Sequence, residues 1–194
     1  NTLISETQSA ASGSNHENSS SNSAEENRKV GAFNGITVSS GIKLTFTQGN
    51  NQKVHVETDA DKMQYVKTEV ENGILKVYVK NPNNKNLNFS KIQVAVTAPK
   101  MTKIEANSGS NFTTLNTVNE ESFEIEANSG ANISADLNAR NHINANSSSG
   151  SNMKLDIKAK NFSLTSSSGS NSMITGSADN TNFQLSSAAN VNAQ

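Results

Sequence analysis

The chain has 194 residues and a formal net charge of -1; 31 residues are Asn, 29 are Ser, and only 32% are hydrophobic. This composition excludes a long helical protein, because Asn and Ser side chains compete with the helix backbone for hydrogen bonds; no stretch approaches the roughly 18 apolar residues of a membrane-spanning helix. The lack of Cys excludes disulfides and thiolate zinc sites, and the balanced charge argues against nucleic-acid binding.

The first 29 residues are uniformly polar, with runs of Ser, Gly and Asn. They show no apolar periodicity and cannot bury enough surface to offset the entropy of ordering the chain. We therefore predict a flexible tether over residues 1–29, which holds the rest of the chain away from an anchor. The alternative is an ordinary frayed terminus.

From Val30 onward, apolar and polar residues alternate, which is typical of half-buried strands. The pair Asn72-Gly73 predicts a hairpin, because both residues tolerate positive φ, and residues 59–66 predict a single helical turn. We predict that residues 30–103 form an irregular half of the domain that contains antiparallel strands. This half carries a net charge of +5. We interpret the excess Lys as protection of exposed strand edges; the alternative is contact with an anionic glycan or lipid surface.

Residues 104–194 form a repeat with steps of 19 to 21 residues, the period of a stacked β-solenoid. Five segments align on a turn position, occupied by Gly109, Gly130, Gly150, Gly169 and Asn190. Two residues later, each segment has an asparagine: Asn111, Asn132, Asn152, Asn171 and Asn192. The turn position favours Gly, and Asn next, because it requires a left-handed backbone.

Apolar residues flank each turn at strand spacing, so stacked coils bury continuous apolar ladders and present ladders of Asn and Ser outward. We therefore predict an all-β protein with one solenoid-like domain over residues 30–194. Its repeat half, residues 104–194, contains five coils of about 20 residues.

The search for catalytic residues finds little. His16, His55 and His142 have no partner at metal-ligand spacing, and the segment Ser108-Gly109-Ser110 and its copies recur along the repeat without a repeated base. Glu105 and Glu126 occupy equivalent positions in neighbouring coils and are the first metal candidates, and Asp136 and Asp156 form a second, approximate pair; outward solvated positions are the simpler interpretation. We predict no catalytic residue, no cofactor and no metal.

Several segments, in this order, resemble the auto-transporter adhesin head GIN domain family. They are residues 31–41 (GAFNGITVSSG), 54–61 (VHVETDAD), 71–77 (ENGILKV) and 94–99 (VAVTAP), followed by the Ser-Gly-Ser-Asn repeats. The resemblance covers about residues 31–194. It implies a right-handed parallel β-helix and an exported bacterial envelope protein, often a lipoprotein or secreted, with no established catalytic residues. It also implies that any membrane contact occurs through a lipid anchor upstream of Asn1.

These observations favour a non-enzymatic, adhesin-like binding or scaffold module at the cell surface or in the periplasm. Its partner would be a repetitive glycan or another envelope or host-surface component that matches the outward Asn and Ser ladders. The first alternative is a solenoid-type carbohydrate-active enzyme, which would need Glu105, Glu126 and Asp136 clustered in one groove. The second is a purely structural spacer or assembly subunit, which would stack end to end through its last coil, near Phe183 to Asn192.

Overall fold

The computed structural model describes residues 22–194, in which 14 strands surround a narrow apolar core. The strands are β1 (Ser23–Arg28), β2 (Gly35–Val38), β3 (Lys43–Gln48), β4 (Lys53–Asp59), β5 (Val66–Glu71), β6 (Ile74–Val79), β7 (Ile92–Ala98), β8 (Lys103–Ala106), β9 (Asn111–Thr114), β10 (Val118–Ala127), β11 (Asn132–Ser147), β12 (Asn152–Ser166), β13 (Asn171–Leu185) and β14 (Asn190–Ala193). The described residues contain one helix, a 3₁₀ turn over Ala60–Tyr65, where the sequence predicts a single helical turn. The predicted all-β class is confirmed.

Strands β8 to β14 stack as parallel coils. Strands β11, β12 and β13 each run along one side of a coil, bend, and return along the other side. Equivalent residues of successive coils lie in register, as in the pairs Ile133–Met153 and Leu137–Ile157. The architecture is a β-solenoid of about five turns, so the predicted fold is confirmed.

The tight corners at Gly109, Gly130, Gly150 and Gly169 are Ser-Gly pairs with a left-handed backbone, as predicted for the Gly position. Gly109 and Gly130 have φ angles of 70° and 73°, and the serines that precede them also have positive φ. The Gly109 N–H donates to the carbonyl oxygen of Ser129 in the next coil, and the same bond recurs at Gly130, Gly150 and Gly169. The corners therefore stack as a continuous backbone ladder.

The first corner lies earlier in the chain than the sequence repeat indicates. Ser40 and Gly41 have φ angles of 62° and 68°, and the Gly41 N–H donates to the carbonyl oxygen of Ser108. Strands β2 and β3, on either side of this corner, pair in parallel with β8 and β9. The solenoid thus begins within the irregular half, and the position of the repeated Asn is occupied there by Lys43, which pairs with Asn111.

The last corner corrects the sequence alignment by two residues. Asn171 pairs with Asn190, and Met173 pairs with Asn192. The left-handed corner is Ser187-Ala188, with φ angles of 51° and 64°, so Asn190 lies in strand β14 and is not a turn residue. The sequence alignment is wrong here because Ala188 occupies the position of the corner Gly. Without a Gly, the alignment placed the turn at Asn190, the nearby residue that best tolerates a left-handed backbone, although only 19 residues separate Asn190 from Asn171.

Antiparallel strands close the other end of the solenoid, which we call the head. Strand β1 pairs with β4, β4 pairs with β7, and β5 pairs with β6 through the predicted hairpin at Asn72-Gly73. Residues 1–21 of the predicted tether lie outside the described residues. Ser23–Arg28 corrects its boundary, because this segment is a strand that pairs with residues 54–59 of β4.

Two polar anchors secure the head. The Arg28 guanidinium donates to the carbonyl oxygens of Val66 at 3.0 Å and Met63 at 3.4 Å, which ties β1 to the 3₁₀ turn. The buried Asp59 carboxylate accepts a 2.8 Å hydrogen bond from the Ser90 N–H. This bond, assisted by Lys62, holds the pKa of Asp59 below its ordinary value despite the opposing effect of burial.

Buried serines replace apolar residues at the corners without leaving unpaired polar groups. The Ser147 and Ser151 hydroxyls lie 2.6 Å apart, and the Ser151 hydroxyl donates to the carbonyl oxygen of Ala127 at 2.9 Å. Ser166 and Ser170 repeat the arrangement one coil later. Only small residues fit here, as the sequence predicts, and their hydroxyls are satisfied within the core.

Candidate binding faces

One side of the coils carries the row of asparagines that the sequence predicts as ligand-binding candidates. Asn132 donates from Nδ2 to Oδ1 of Asn111 at 3.0 Å, and Asn152 donates to Asn132 at 2.9 Å. The row continues from Asn171 to Asn152 at 3.3 Å and from Asn190 to Asn171 at 3.1 Å. We call these five residues the amide ladder. The fifth predicted candidate, Asn192, lies outside the ladder.

Each inner amide of the ladder uses one donor and one acceptor on its neighbours. An Asn side chain has two N–H donors and one carbonyl oxygen with two lone pairs, so half of its hydrogen-bonding capacity is committed to the stack. Strand register enforces this arrangement, because parallel coils place like residues about 4.8 Å apart. The ladder therefore has a structural role whether or not it also contacts a ligand.

The other side of the coils carries a second outward array, which we call the polar face. Its first row is Lys103, Glu124, Asn144 and Ser163, and its second row is Glu105, Glu126, Asn146 and Thr165. All of these residues except Glu105 line a concave surface of about 420 Å³. Sequence reasoning does not find this array, because the residue type changes at each step and only the register joins the positions into rows.

The polar face contains both paired and available polar groups. Asn144 donates to Glu124 at 2.9 Å, and the exposed residues Asn146 and Thr165 form no side-chain hydrogen bond within residues 22–194. His142 closes one edge of the face, with Nδ1 at 3.1 Å from the Ser122 hydroxyl and Nε2 at 3.8 Å from Glu124. The face thus offers amide, hydroxyl and carboxylate groups at coil spacing.

The two predicted metal candidates, Glu105 and Glu126, are in register on neighbouring strands of this face. Asn107 donates to Glu105 at 3.2 Å, and Asn128 donates to Glu126 at 2.9 Å. Each of the two stacked carboxylates therefore accepts a hydrogen bond from the amide two residues later. Among residues 22–194, no group of three His, Asp or Glu side chains is placed to hold a metal ion.

The third carboxylate of the enzyme alternative, Asp136, lies elsewhere. It follows the corner at Gly130, on the amide-ladder side, where it pairs in register with Asp156. The coil topology therefore places Asp136 and Glu126 on different sides of the solenoid. Of the other two histidines, His55 contacts Asn27 at 2.8 Å in the head, away from the polar face, and His16 is outside the described residues.

Comparison with protein families identifies the chain. Residues 32–150 match the family model described as "Putative auto-transporter adhesin, head GIN domain". The chain belongs to this family. The match ends at the Gly150 corner, whereas the solenoid continues for further coils to β14. No curated protein matches the chain.

Solved structures show the same fold at low sequence identity. A putative adhesin from Bacteroides fragilis is 12% identical with a TM-score of 0.60, and the match covers 90% of this chain and 98% of that one. A putative adhesin from Parabacteroides distasonis is 16% identical with a TM-score of 0.56, covering 89% and 98%. A protein from the same organism described as a putative lipid binding protein is 13% identical with a TM-score of 0.54, also covering 89% and 98%.

Within residues 22–194, no helix has the length and apolar character needed to cross a membrane.

Proposed function

We propose that this head GIN domain protein is a non-enzymatic, adhesin-like binding module of the bacterial envelope or surface, and that its polar face holds a repetitive glycan. The observation that carries the proposal is the in-register concave array around Glu124, Asn144 and Thr165. Family membership and the adhesin descriptions of similar structures support the surface role.

The spacing of the array favours a polymer. Successive members of a row lie about 4.8 Å apart along the solenoid axis, so a long chain laid along this axis meets an outward polar group at each coil. Amide and hydroxyl side chains both donate to and accept from sugar hydroxyls. The two carboxylates of the concave surface, Glu124 and Glu126, outnumber its one cation, Lys103, which favours neutral or amino-bearing sugars over polyanions.

The polar face is a better candidate than the amide ladder because its groups are less committed. Asn146 and Thr165 make no hydrogen bond to another described side chain, whereas each inner ladder amide is bonded on both sides. A ligand on the ladder would compete with bonds that hold the coils together. A ligand on the polar face would meet exposed groups.

The test uses binding of a panel of bacterial and host polysaccharides, measured by glycan array and then by isothermal titration calorimetry. Asn146→Ala combined with Thr165→Ala removes two exposed groups and no internal hydrogen bond, so we expect weaker binding with an unchanged melting temperature. Each good hydrogen bond lost to a ligand weakens binding by roughly fivefold to tenfold. Asn132→Ala combined with Asn152→Ala is the matched control on the amide ladder, expected to lower stability and retain binding.

Two outcomes would overturn the proposal. If no polysaccharide in the panel binds while vesicles of anionic or neutral phospholipid do, the ligand class is wrong. If the ladder variant loses binding and the polar-face variant retains it, the ligand class stands and the site is the ladder.

A further inference from the structure

The polar face continues from the repeat half into the head. Strand β2 pairs in parallel with β8, and β6 pairs in parallel with β2, so both strands extend the sheet that carries the two outward rows. In register, the first row passes from Lys103 to Gly35, and the second passes from Glu105 through Thr37 to Lys76. A long ligand on the polar face would therefore reach strand β6 along the same sheet.

The surface over β2 is level. The Ile74 side chain covers Gly35, since a Cβ at Gly35 would lie 2.5 Å from Cδ1 of Ile74 and 3.2 Å from Cβ of Lys103. In the second row, the Thr37 hydroxyl donates to Oε2 of Glu105 at 3.4 Å. No large side chain of β2 separates the concave surface from β6, because the outward residues of β2 are Gly35 and Thr37.

Beyond this level step, β6 presents an aromatic ring. Tyr78 is half-buried and outward, and it is the only Phe or Tyr among the outward side chains that the structure places on this side from β5 to β12. Its hydroxyl donates to Oε2 of Glu69 at 2.8 Å. Because Tyr78 pairs with Lys67, and Glu69 pairs with Lys76, this bond runs diagonally across β5 and β6. The ring therefore leans toward the second row.

The ring of Tyr78 is held in this position by the protein itself. The hydrogen bond to the Glu69 carboxylate raises the pKa of Tyr78 above its ordinary value, so the phenol stays protonated and remains a donor. Lys76 leans in the same diagonal direction, with Nζ 2.6 Å from Oε2 of Glu71. A ring that is already fixed loses little conformational entropy when a ligand packs on it.

We propose that Tyr78 is a sugar-stacking subsite at the head end of the polar face, and that the glycan is a β-linked polymer of neutral or amino sugars with equatorial ring substituents. Equatorial substituents leave C–H groups on the faces of the sugar ring, and these weakly positive groups pack on the negative face of an aromatic ring. A protonated amino group adds a cation–π attraction. This inference rests on the proposed function and adds to it a class of sugar and a contact outside the concave surface.

The distance between the two contacts sets the length of glycan that can use both. Five strand steps separate β12, which carries Thr165, from β6, which carries Tyr78. At the usual spacing of strands this is about 24 Å. An extended chain of six sugars covers this span, whereas a chain of two sugars does not. Affinity should therefore rise with chain length until the glycan reaches Tyr78.

The experiment measures binding of β-1,4-linked oligomers of glucose, N-acetylglucosamine and glucosamine, from two to six sugars long, by isothermal titration calorimetry. Tyr78→Ala should weaken binding of the hexamer by roughly threefold to tenfold and remove most of the gain in affinity with length. Tyr78→Phe keeps the ring and should retain most of the binding, although it loses the bond to Glu69. Tyr65→Phe is the matched control and should bind as the wild type does.

A spectroscopic measurement follows the contact without changing Tyr78. The chain has no Trp and two Tyr, so Tyr65→Phe leaves Tyr78 as the only tyrosine fluorophore. Addition of the hexamer should change its emission, with the same dissociation constant that calorimetry gives.

The outcomes separate this inference from the proposed function. If Asn146→Ala combined with Thr165→Ala weakens hexamer binding but Tyr78→Ala does not, the subsite is wrong and the proposed function stands. An emission of Tyr78 that is unchanged at saturating hexamer would overturn the subsite in the same way. If none of the three hexamers binds, the class of sugar is wrong, and the wider polysaccharide panel decides the proposed function by itself.

Discussion

The head and the repeat half stabilise their strands with different kinds of polar contact. In the repeat half, identical neutral residues stack on each other: Asn132 on Asn111, and Ser166 on Ser147. In the head, each polar contact is different and many are charged, as in Arg28 to Val66 and Asp59 to Ser90. A repeating coil can reuse one solution at every step, whereas a strand that ends the stack has a neighbour on one side only and needs its own contacts.

The largest expected effect tests the junction between the two regions. Phe112 is fully buried, and its ring stacks on Phe46 of the first coil with centroids 6.3 Å apart. Phe112→Ala should lower the free energy of unfolding by about 3–5 kcal/mol, because it leaves a cavity where the head joins the repeat. Urea denaturation followed by circular dichroism measures this loss. Phe183→Ala, at a side chain that is 38% exposed, should cost well under half as much, and equal losses would contradict the view that burial sets the cost.

The next effect tests the charged anchor of the head. Asp59→Ala leaves the Ser90 N–H without its acceptor and should cost about 1–3 kcal/mol. The pKa of Asp59 is lower in the folded than in the unfolded chain, so its contribution is present above the unfolded value and is lost as pH falls through the folded value. The difference between wild type and variant, measured by urea denaturation, should therefore shrink from pH 7 to pH 3. A difference independent of pH would show that the charge contributes nothing.

A smaller effect tests the stacked corners. Gly130 has φ of 73°, and a Cβ there would meet nothing within 4 Å, so Gly130→Ala should cost about 1–2 kcal/mol from backbone strain alone. Ala188→Gly should relieve the same strain at the last corner and stabilise its coil by about 0.5 kcal/mol. Thermal denaturation compares the two variants. Gly31→Ala, where φ is not positive and space is open, is the control and should be neutral or slightly stabilising.

The last comparison tests the amide ladder, against a control variant that should have almost no effect. Asn132→Ala removes one hydrogen bond given to Asn111 and one accepted from Asn152, and should cost about 1–2 kcal/mol. Asn146→Ala removes an exposed amide that makes no bond to a described side chain and should change stability by less than about 0.5 kcal/mol. Paired urea titrations separate these values. If both variants lose the same amount, the ladder has no special role in holding the coils.

The polar face shows where prediction from the sequence stops. The amide ladder is visible in the sequence because one letter, Asn, recurs at a fixed period. In the polar face, Lys103, Glu124, Asn144 and Ser163 share a row but share no residue type. Hydrophobic alternation predicts only that each points outward, and the strand register decides which outward residues become neighbours.

The first and last corners show a second limit. Ser40-Gly41 has the residues of a corner, but 68 positions separate Gly41 from Gly109 because strands β4 to β7 intervene. At the other end, Ala188 adopts a left-handed backbone although its residue type disfavours it. In both places, backbone hydrogen bonds to the neighbouring corner decide the conformation.

The sequence by itself determined the class, the period and the interior of this protein, because burial alternation and small corner residues are local properties of the chain. It also indicated the hairpin at Asn72-Gly73 and the outward asparagines. The tertiary structure alone decided that Ser23–Arg28 completes a sheet and that Asp136 lies on a different side from Glu126. These depend on which strands become neighbours, and pairing between distant segments follows from the register of the whole stack.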